Sequence, residues 1–234
     1  MMKTINNILI CLFLSMTSYG QGFDHSLWTS FLQKHVTDDG HVDYKSIQSH
    51  LENLDAYLQK LSKANPNDTW SKNETLAFWI NAYNAFTIKL IIDNYPVKSI
   101  NDIKNPWDQK FIKIGSETMS LNHFEHDILR KMDEPRIHFA IVCASVSCPK
   151  LRNEAYISSQ LNEQLSQAVS GFLSDPTKNV ISKNHLELSK IFQWFSKDFK
   201  KHGSLIDFIN QYTQIEISDD PKIKFKDYNW SINK

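Results

Sequence analysis

A helix that is apolar on nearly every side constrains this chain more than any other feature. From Leu76 to about Asn94 the sequence carries Leu76, Ala77, Phe78, Trp79, Ile80, Ala82, Tyr83, Ala85, Phe86 and Ile88. A helix without a polar face must be buried all round, so the remaining chain has to wrap it. Ser71 and Glu74 stand three apart ahead of it and predict a capping box. Pro96 stops it, because proline lacks the N–H and clashes with the preceding turn. Within this helix Asn81 and Asn84 are neighbours on one face. A buried amide left without partners costs about 1–3 kcal/mol. Both therefore need partners, either as struts to nearby backbone or as a pair lining a polar pocket.

The rest of the chain supplies short elements of both kinds. Phe23 to Val36 reads as an amphipathic helix with Leu27, Phe31 and Leu32 on one side. It ends at the turn Asp38-Asp39-Gly40, and a second helical stretch lies near Leu51 to Leu61. Phe111 to Leu121 predicts a hairpin turning at Gly115-Ser116. Asn122 and Glu125 repeat the capping pattern before a short helix, Phe124 to Lys131. Further helices are expected over Ile157–Leu173, Ile191–Phe199 and Leu205–Tyr212. A second hairpin should turn at Lys183-Asn184, between Val180-Ile181 and Leu186–Leu188, with a late strand near Ile223–Tyr228. Strands and helices mix without a βαβ rhythm. The fold class is therefore α+β, a single compact domain with a buried central helix, short strands and hairpins, and an N-terminal helical extension.

The chain has 234 residues, and its 26 Lys plus Arg balance 26 Asp plus Glu. That neutrality argues against nucleic acid or an anionic membrane surface as the main partner. Lys3, the apolar run Ile8 to Met16 and the small-residue site Ser18-Tyr19-Gly20 form a secretory signal pattern. Cys11 lies inside it. The expected organisation is a signal peptide over 1–20, a helical extension over 21–64 and a core domain over 65–234. An exported product, periplasmic or secreted, follows, with no transmembrane segment in the mature chain.

The chemistry is expected around Arg136–Lys150. The run from Ile137 to Val142 reads as a buried strand ending on Cys143, followed by Ala144-Ser145-Val146-Ser147, Cys148 and Pro149. In a strand, residues 137, 139, 141 and 143 share one face. His138 would then point away from Cys143, as a satisfied core histidine. His126, on the preceding short helix, is the better partner, since an imidazole can take a thiol proton and stabilise the thiolate. Asn81 or Asn84 could orient that imidazole or donate to an oxyanion. Glu125 is either a further site carboxylate or a capping group at the helix N-terminus. In an exported protein, Cys143 and Cys148 are equally a candidate disulfide. His123, His126 and His138 lack clear zinc-ligand spacing. No glycine-rich phosphate loop and no Gly-x-Ser-x-Gly elbow occur, so neither metal nor cofactor is expected.

Leu76-Ala-Phe-Trp-Ile-Asn-Ala-Tyr-Asn-Ala85, Phe124-Glu-His-Asp-Ile-Leu-Arg130 and His138-Phe-Ala-Ile-Val-Cys-Ala-Ser-Val-Ser-Cys-Pro149 resemble three signature segments of the domain-of-unknown-function 547 family. Ser189–Phe195 with Asp198-Phe199, and Tyr228–Asn233, are similar to later family segments, so the resemblance runs from about Val42 to the C-terminus. The family occurs as exported bacterial proteins and within larger eukaryotic chains, some beside glutaredoxin-like modules. The resemblance implies that the Glu-His element and the thiol at Cys143 belong to the family core. It also implies that the position of Cys148 is a serine in some members.

Three functions follow as expectations. The first is a thiol-dependent hydrolase or transferase cutting amide or thioester bonds of a peptide or small molecule, with Cys143 as nucleophile and His126 as base. The second is a redox or disulfide protein using Cys143 and Cys148. The third is a non-catalytic binding module.

Overall fold

The structure is a computed structural model and describes residues 22–234. The expected signal peptide lies outside the described residues. Eight α-helices and five short strands, joined by irregular turns, order the described chain. α1 (Ser26–His35), α2 (Tyr44–Gln48) and α3 (Glu52–Ser62) precede α4 (Lys72–Asp93), the central helix. Every residue from Leu76 to Ile88 is buried. Ser71 caps α4 by accepting from the Glu74 N–H. The capping box is only half made, because the Glu74 carboxylate accepts instead from the Phe23 N–H, 3.1 Å away. By length and composition alone α4 could cross a membrane, but 89% of its apolar window is buried inside the protein. That burial identifies it as a core helix.

On α1 the buried face is Trp28, Phe31, Leu32 and His35, whereas the expected Leu27 faces solvent. Trp28 stacks on Phe31 and on Tyr57 of α3, and this cluster joins the α4 core. β1 (Ile112–Ile114) and β2 (Glu117–Met119) pair antiparallel about Gly115-Ser116, as the turn residues predict. β3 (Val180–Ile181) and β4 (His185–Leu188) form the second predicted hairpin. β5 (Lys222–Phe225) joins β4 in parallel. α5 spans Leu161–Ser174. The single helix expected over Ile191–Phe199 is broken into α6 (Ile191–Trp194) and α7 (Ser196–Phe199), and α8 is Leu205–Asn210. Phe139, Phe192, Phe199 and Phe208, with Leu186 and Leu188 of β4, build a second, smaller core.

Two expectations at the centre of the molecule need correction. The stretch before Cys143 is not a strand. Pro135–Phe139 is a 3₁₀ helix opened by Pro135 in its first turn, and Ala140 to Val142 follow without strand pairing. Its apolar residues are buried because the segment runs between the two cores. Ile137, Ala140, Ile141 and Val142 enter the α4 core, and Phe139 enters the smaller one. The short helix expected at Phe124–Lys131 is instead a π-helical turn, His123–Ile128, continued by a 3₁₀ turn, Leu129–Met132. Asn122 does not cap it. Its side chain donates to Asp108 at 2.6 Å.

Candidate functional site at the cysteine pair

Cys143 and Cys148 are joined as a disulfide, with their Cα atoms 6.4 Å apart. The backbone turns sharply between them, and Ala144 takes the left-handed conformation at φ 57°. A non-glycine residue there carries a local energetic cost, so the surroundings must hold the turn. The C-terminal segment does so. Val146 N–H donates to the Ser231 carbonyl at 2.8 Å and Ser147 N–H to that of Asn229 at 3.1 Å, and Ser145 bridges to Ile232.

This pairing brings Tyr228 onto the sulfurs. Its hydroxyl oxygen lies 3.3 Å from Cys143 Sγ and 3.2 Å from Cys148 Sγ. Ser145 Oγ–H donates to the same oxygen at 3.1 Å, which leaves the tyrosine proton free for sulfur. Burial raises the Tyr228 pKa to about 12, so the group stays a donor at neutral pH. The Cys143 backbone N–H also points at Cys148 Sγ, 3.0 Å away. Cys148 is buried and Cys143 only partly so.

The disulfide forms one wall of a cavity of about 230 Å³ whose lining includes Glu125, His126 and His138. A wider hollow of about 830 Å³ lies on the other side of Cys148 and Pro149, which line both spaces. Its lining carries charges of both signs, with Asp38, Asp175, Lys150 and Lys178 set among apolar side chains such as Phe139, Val146 and Phe172. It is the larger space, but the sulfur chemistry, the imidazoles and the buried carboxyl meet in the smaller one.

Glu125 is 8% exposed. Among the described residues its side chain has one hydrogen-bond partner, the Tyr83 hydroxyl at 3.4 Å from Oε2. Burial raises its pKa to about 7, against the nearby positive charge of Arg130. The π-helical turn explains how Glu125 and the exposed His126 come to line one space. An inserted residue widens the helix and re-aims consecutive side chains, and such bulges concentrate at functional sites.

His126 Nδ1 lies 2.8 Å from Arg130 Nη1. A guanidinium only donates, so Nδ1 accepts and the neutral ring carries its proton on Nε2. Partial burial, then the Arg130 charge, push the His126 pKa down. Arg130 itself is held by a two-pronged contact to Asp198, with Nε to Oδ2 at 2.6 Å and Nη2 to Oδ1 at 2.9 Å. His138 Nε2 meets Asp198 Oδ2 at 2.8 Å, and its ring stacks on Phe195 at 3.9 Å. Burial opposes ionisation of Asp198, but the bonds from His138 and Arg130 outweigh it and hold its carboxyl well below the usual range. Burial likewise lowers the His138 pKa. His138 is thus a satisfied core histidine as expected, but the strand parity behind that expectation is absent, and it lines the same cavity as Cys143.

The two amides of α4 are placed elsewhere. Asn81 donates to the Tyr156 carbonyl at 2.7 Å and accepts from the Tyr156 N–H at 3.0 Å. Asn84 donates to the Ala140 carbonyl at 2.9 Å and accepts from the Val142 N–H at 3.0 Å. Both act as struts to backbone, and neither lines the cavity. Asn84 anchors the segment that leads to Cys143, whereas Asn81 makes its hydrogen bonds to Tyr156. The structure thus brings together Cys143, His126 and Glu125, leaves out Asn81 and Asn84, and adds Tyr228, Cys148, Arg130 and Asp198. Among the described residues no three His, Cys, Asp or Glu side chains converge to hold a metal.

The sequence model of the family described as Protein of unknown function, DUF547, matches residues 67–173. This bears out the resemblance read from the motifs. The matched stretch holds α4, the Glu125-His126 turn and the cysteine segment. Asp198 and Tyr228 lie beyond it. No curated protein and no solved structure matches the chain.

Proposed function

We propose that this DUF547-family protein carries out thiol–disulfide exchange at the Cys143–Cys148 bond. The observation that supports this best is the placement of donors on both sulfurs, at the edge of the α4 core where both cysteines also line a cavity. An incoming thiolate attacks the more accessible Cys143 sulfur. A mixed disulfide forms there, the Cys143–Cys148 bond breaks, and Cys148 leaves as a thiolate. The Cys143 N–H and the Tyr228 hydroxyl then stabilise that thiolate. A second thiolate displaces Cys143 from the mixed disulfide, so two thiols become one small disulfide and the protein becomes a dithiol. The reverse sequence reforms the bond. Exchange of this kind depends on the stability of the leaving thiolate and on access to the attacked sulfur.

Export to the periplasm or beyond fits this reading. The signal-like segment Met1–Gly20 supports it, and disulfides persist in such compartments.

The test is a redox titration in glutathione buffers, with alkylation and mass determination of the two thiols and circular dichroism of the same samples. Exchange predicts reversible reduction of the folded protein and loss of the cycle in Cys148→Ser. Reduction only upon unfolding would make the bond a structural staple and end the proposal.

A second reading is favoured by Glu125 and His126 sharing the cavity with Cys143. In the reduced protein Cys143 would attack an amide or thioester. That chemistry requires His126 Nδ1 to part from Arg130 before the ring can become an imidazolium. Acyl transfer from a thioester to the reduced protein, absent in Cys143→Ser, is the result that would favour it.

A further inference from the structure

The cavity beside the disulfide is an aromatic cage with one unpaired acid. Trp107, Trp194, Tyr228 and Trp230 line it, together with Tyr83 and Phe195. Trp194, Tyr228 and Trp230 pack on one another, with ring centroids 4.6 to 5.8 Å apart. Trp107 meets the Trp230 ring edge-on at 5.8 Å. Trp194 is 46% exposed and stands at the mouth.

The charges around this cage do not cancel. Arg130 and Asp198 are paired with each other. His126 and His138 are both driven toward their neutral forms. Glu125 is the one acidic side chain on the lining. Among the described residues its Oε1 has no hydrogen-bond partner, and Oε2 has the long contact to Tyr83. A buried carboxylate so poorly paired is costly, and a cation beside it removes that cost. Aromatic faces attract cations as well, most strongly in sites shielded from water. The volume of about 230 Å³ lies below that of drug-sized pockets, which suits a small molecule.

We infer that the preferred thiol of this site is a small aminothiol, whose ammonium group sits among the Trp194, Tyr228 and Trp230 rings beside Glu125 while its sulfur meets Cys143. This inference rests on the exchange reading and names its substrate class. The ammonium is a spectator. The thiolate forms the new bond to Cys143, and Cys148 leaves, as above.

The experiment compares three thiols as reductants of the oxidised wild-type protein at pH 8: cysteamine, 2-mercaptoethanol and 3-mercaptopropionate. Rates are divided by thiolate concentration and corrected for intrinsic nucleophilicity, since thiol pKa alone changes both. Cysteamine should react about tenfold faster than mercaptoethanol, a factor within the reach of one shielded cation–aromatic contact, and mercaptopropionate should be slowest. Glu125→Gln should collapse the cysteamine-to-mercaptoethanol ratio toward one, and Trp230→Leu should lower it. Equal corrected rates for the three thiols on the wild type would overturn the aminothiol assignment while leaving exchange intact. Failure of all three to reduce the folded protein would instead overturn the exchange reading, and with it the assignment. A preference for cysteamine that persists undiminished in Glu125→Gln would also overturn the assignment, because the ammonium would then be recognised elsewhere.

Discussion

Asn81 and Asn84 on α4 and Glu125 beside the disulfide are all buried polar side chains, but their partners differ. Each asparagine meets one backbone carbonyl and one backbone N–H, all four contacts between 2.7 and 3.0 Å. Among the described residues Glu125 has one hydrogen-bond contact, at 3.4 Å, and it lines a cavity. Buried polar groups are nearly always hydrogen-bonded, and the exceptions call for an explanation. A satisfied group has already spent its bonding capacity on the fold. One that keeps capacity in reserve, next to a hollow and a disulfide, has it available for a ligand. The comparison separates support from candidate chemistry more sharply than residue type does, since an amide pair on a buried helix looks no less functional in sequence than a lone glutamate.

The largest effect should come from breaking the support. Asn84→Ala removes both partners of the Ala140 carbonyl and the Val142 N–H, deep in the core. Leaving a buried group unsatisfied costs about 1–3 kcal/mol each, so a loss of about 4 kcal/mol is expected. Denaturant unfolding measures it. Exchange by the molecules that remain folded should keep the wild-type substrate order. A stable variant with altered thiol preference would place Asn84 with the site and dissolve the contrast.

The two sets also differ in how far they could be read from sequence. α4 announces itself because its apolar residues occupy every side, and Ser71 marks its start. Both hairpins are carried by their turn residues. The segment before Cys143 misleads because a short apolar run has no period of its own. Burial there comes from passing between two cores, which a local pattern does not record. The local signal for the helical turn is Pro135, since proline favours the first turn of a helix. Cys143, His126 and Glu125 were legible as chemistry-bearing residues near one another in sequence. Tyr228 was not, because it reaches the two sulfurs from 80 and 85 residues away. Only the family-like closing segment Tyr228–Asn233 hinted at it. Asp198 and Arg130 are also far apart in sequence, by 68 residues, and ordinary ion-pair residues carry no sign of which histidine they will hold.

The next effect concerns Glu125 and pH. Its folded pKa of about 7 lies above the ordinary glutamate value of 4.5. Between those two values the folded state binds more protons than the unfolded state, so this group makes stability fall as pH rises through that window. The full difference is on the order of 3 kcal/mol, at about 1.4 kcal/mol per pH unit. Glu125→Gln mimics the protonated acid. It should match the wild type near pH 4.5 and exceed it in stability above pH 7, as measured by unfolding at both ends. Parallel stability curves for the two proteins would mean that Glu125 is already ionised and paired, and the contrast with the asparagines would blunt.

The smallest effect, and the most direct on the chemistry, belongs to Tyr228→Phe. The change keeps the ring that packs on Trp194 and Trp230 at 4.8 and 4.6 Å and deletes only the hydroxyl between the sulfurs. In the oxidised protein the sulfurs are weak acceptors, so unfolding of that form should shift by less than about 1 kcal/mol. In the reduced protein a Cys148 thiolate loses a donor, and hydrogen bonds to charged groups are the stronger kind. The dithiol should therefore become less favourable by about tenfold in the equilibrium with glutathione, close to 30 mV for a two-electron couple. Reduction by a given thiol should slow in the same direction. Ser145→Ala, which removes the donor to the Tyr228 oxygen at 3.1 Å, should act with the same sign and less strength, because the phenol proton still reaches sulfur. A Tyr228→Phe protein with an unchanged redox equilibrium, despite an intact aromatic cluster, would return the hydroxyl to the same class as the α4 amides: a bond made for the fold alone.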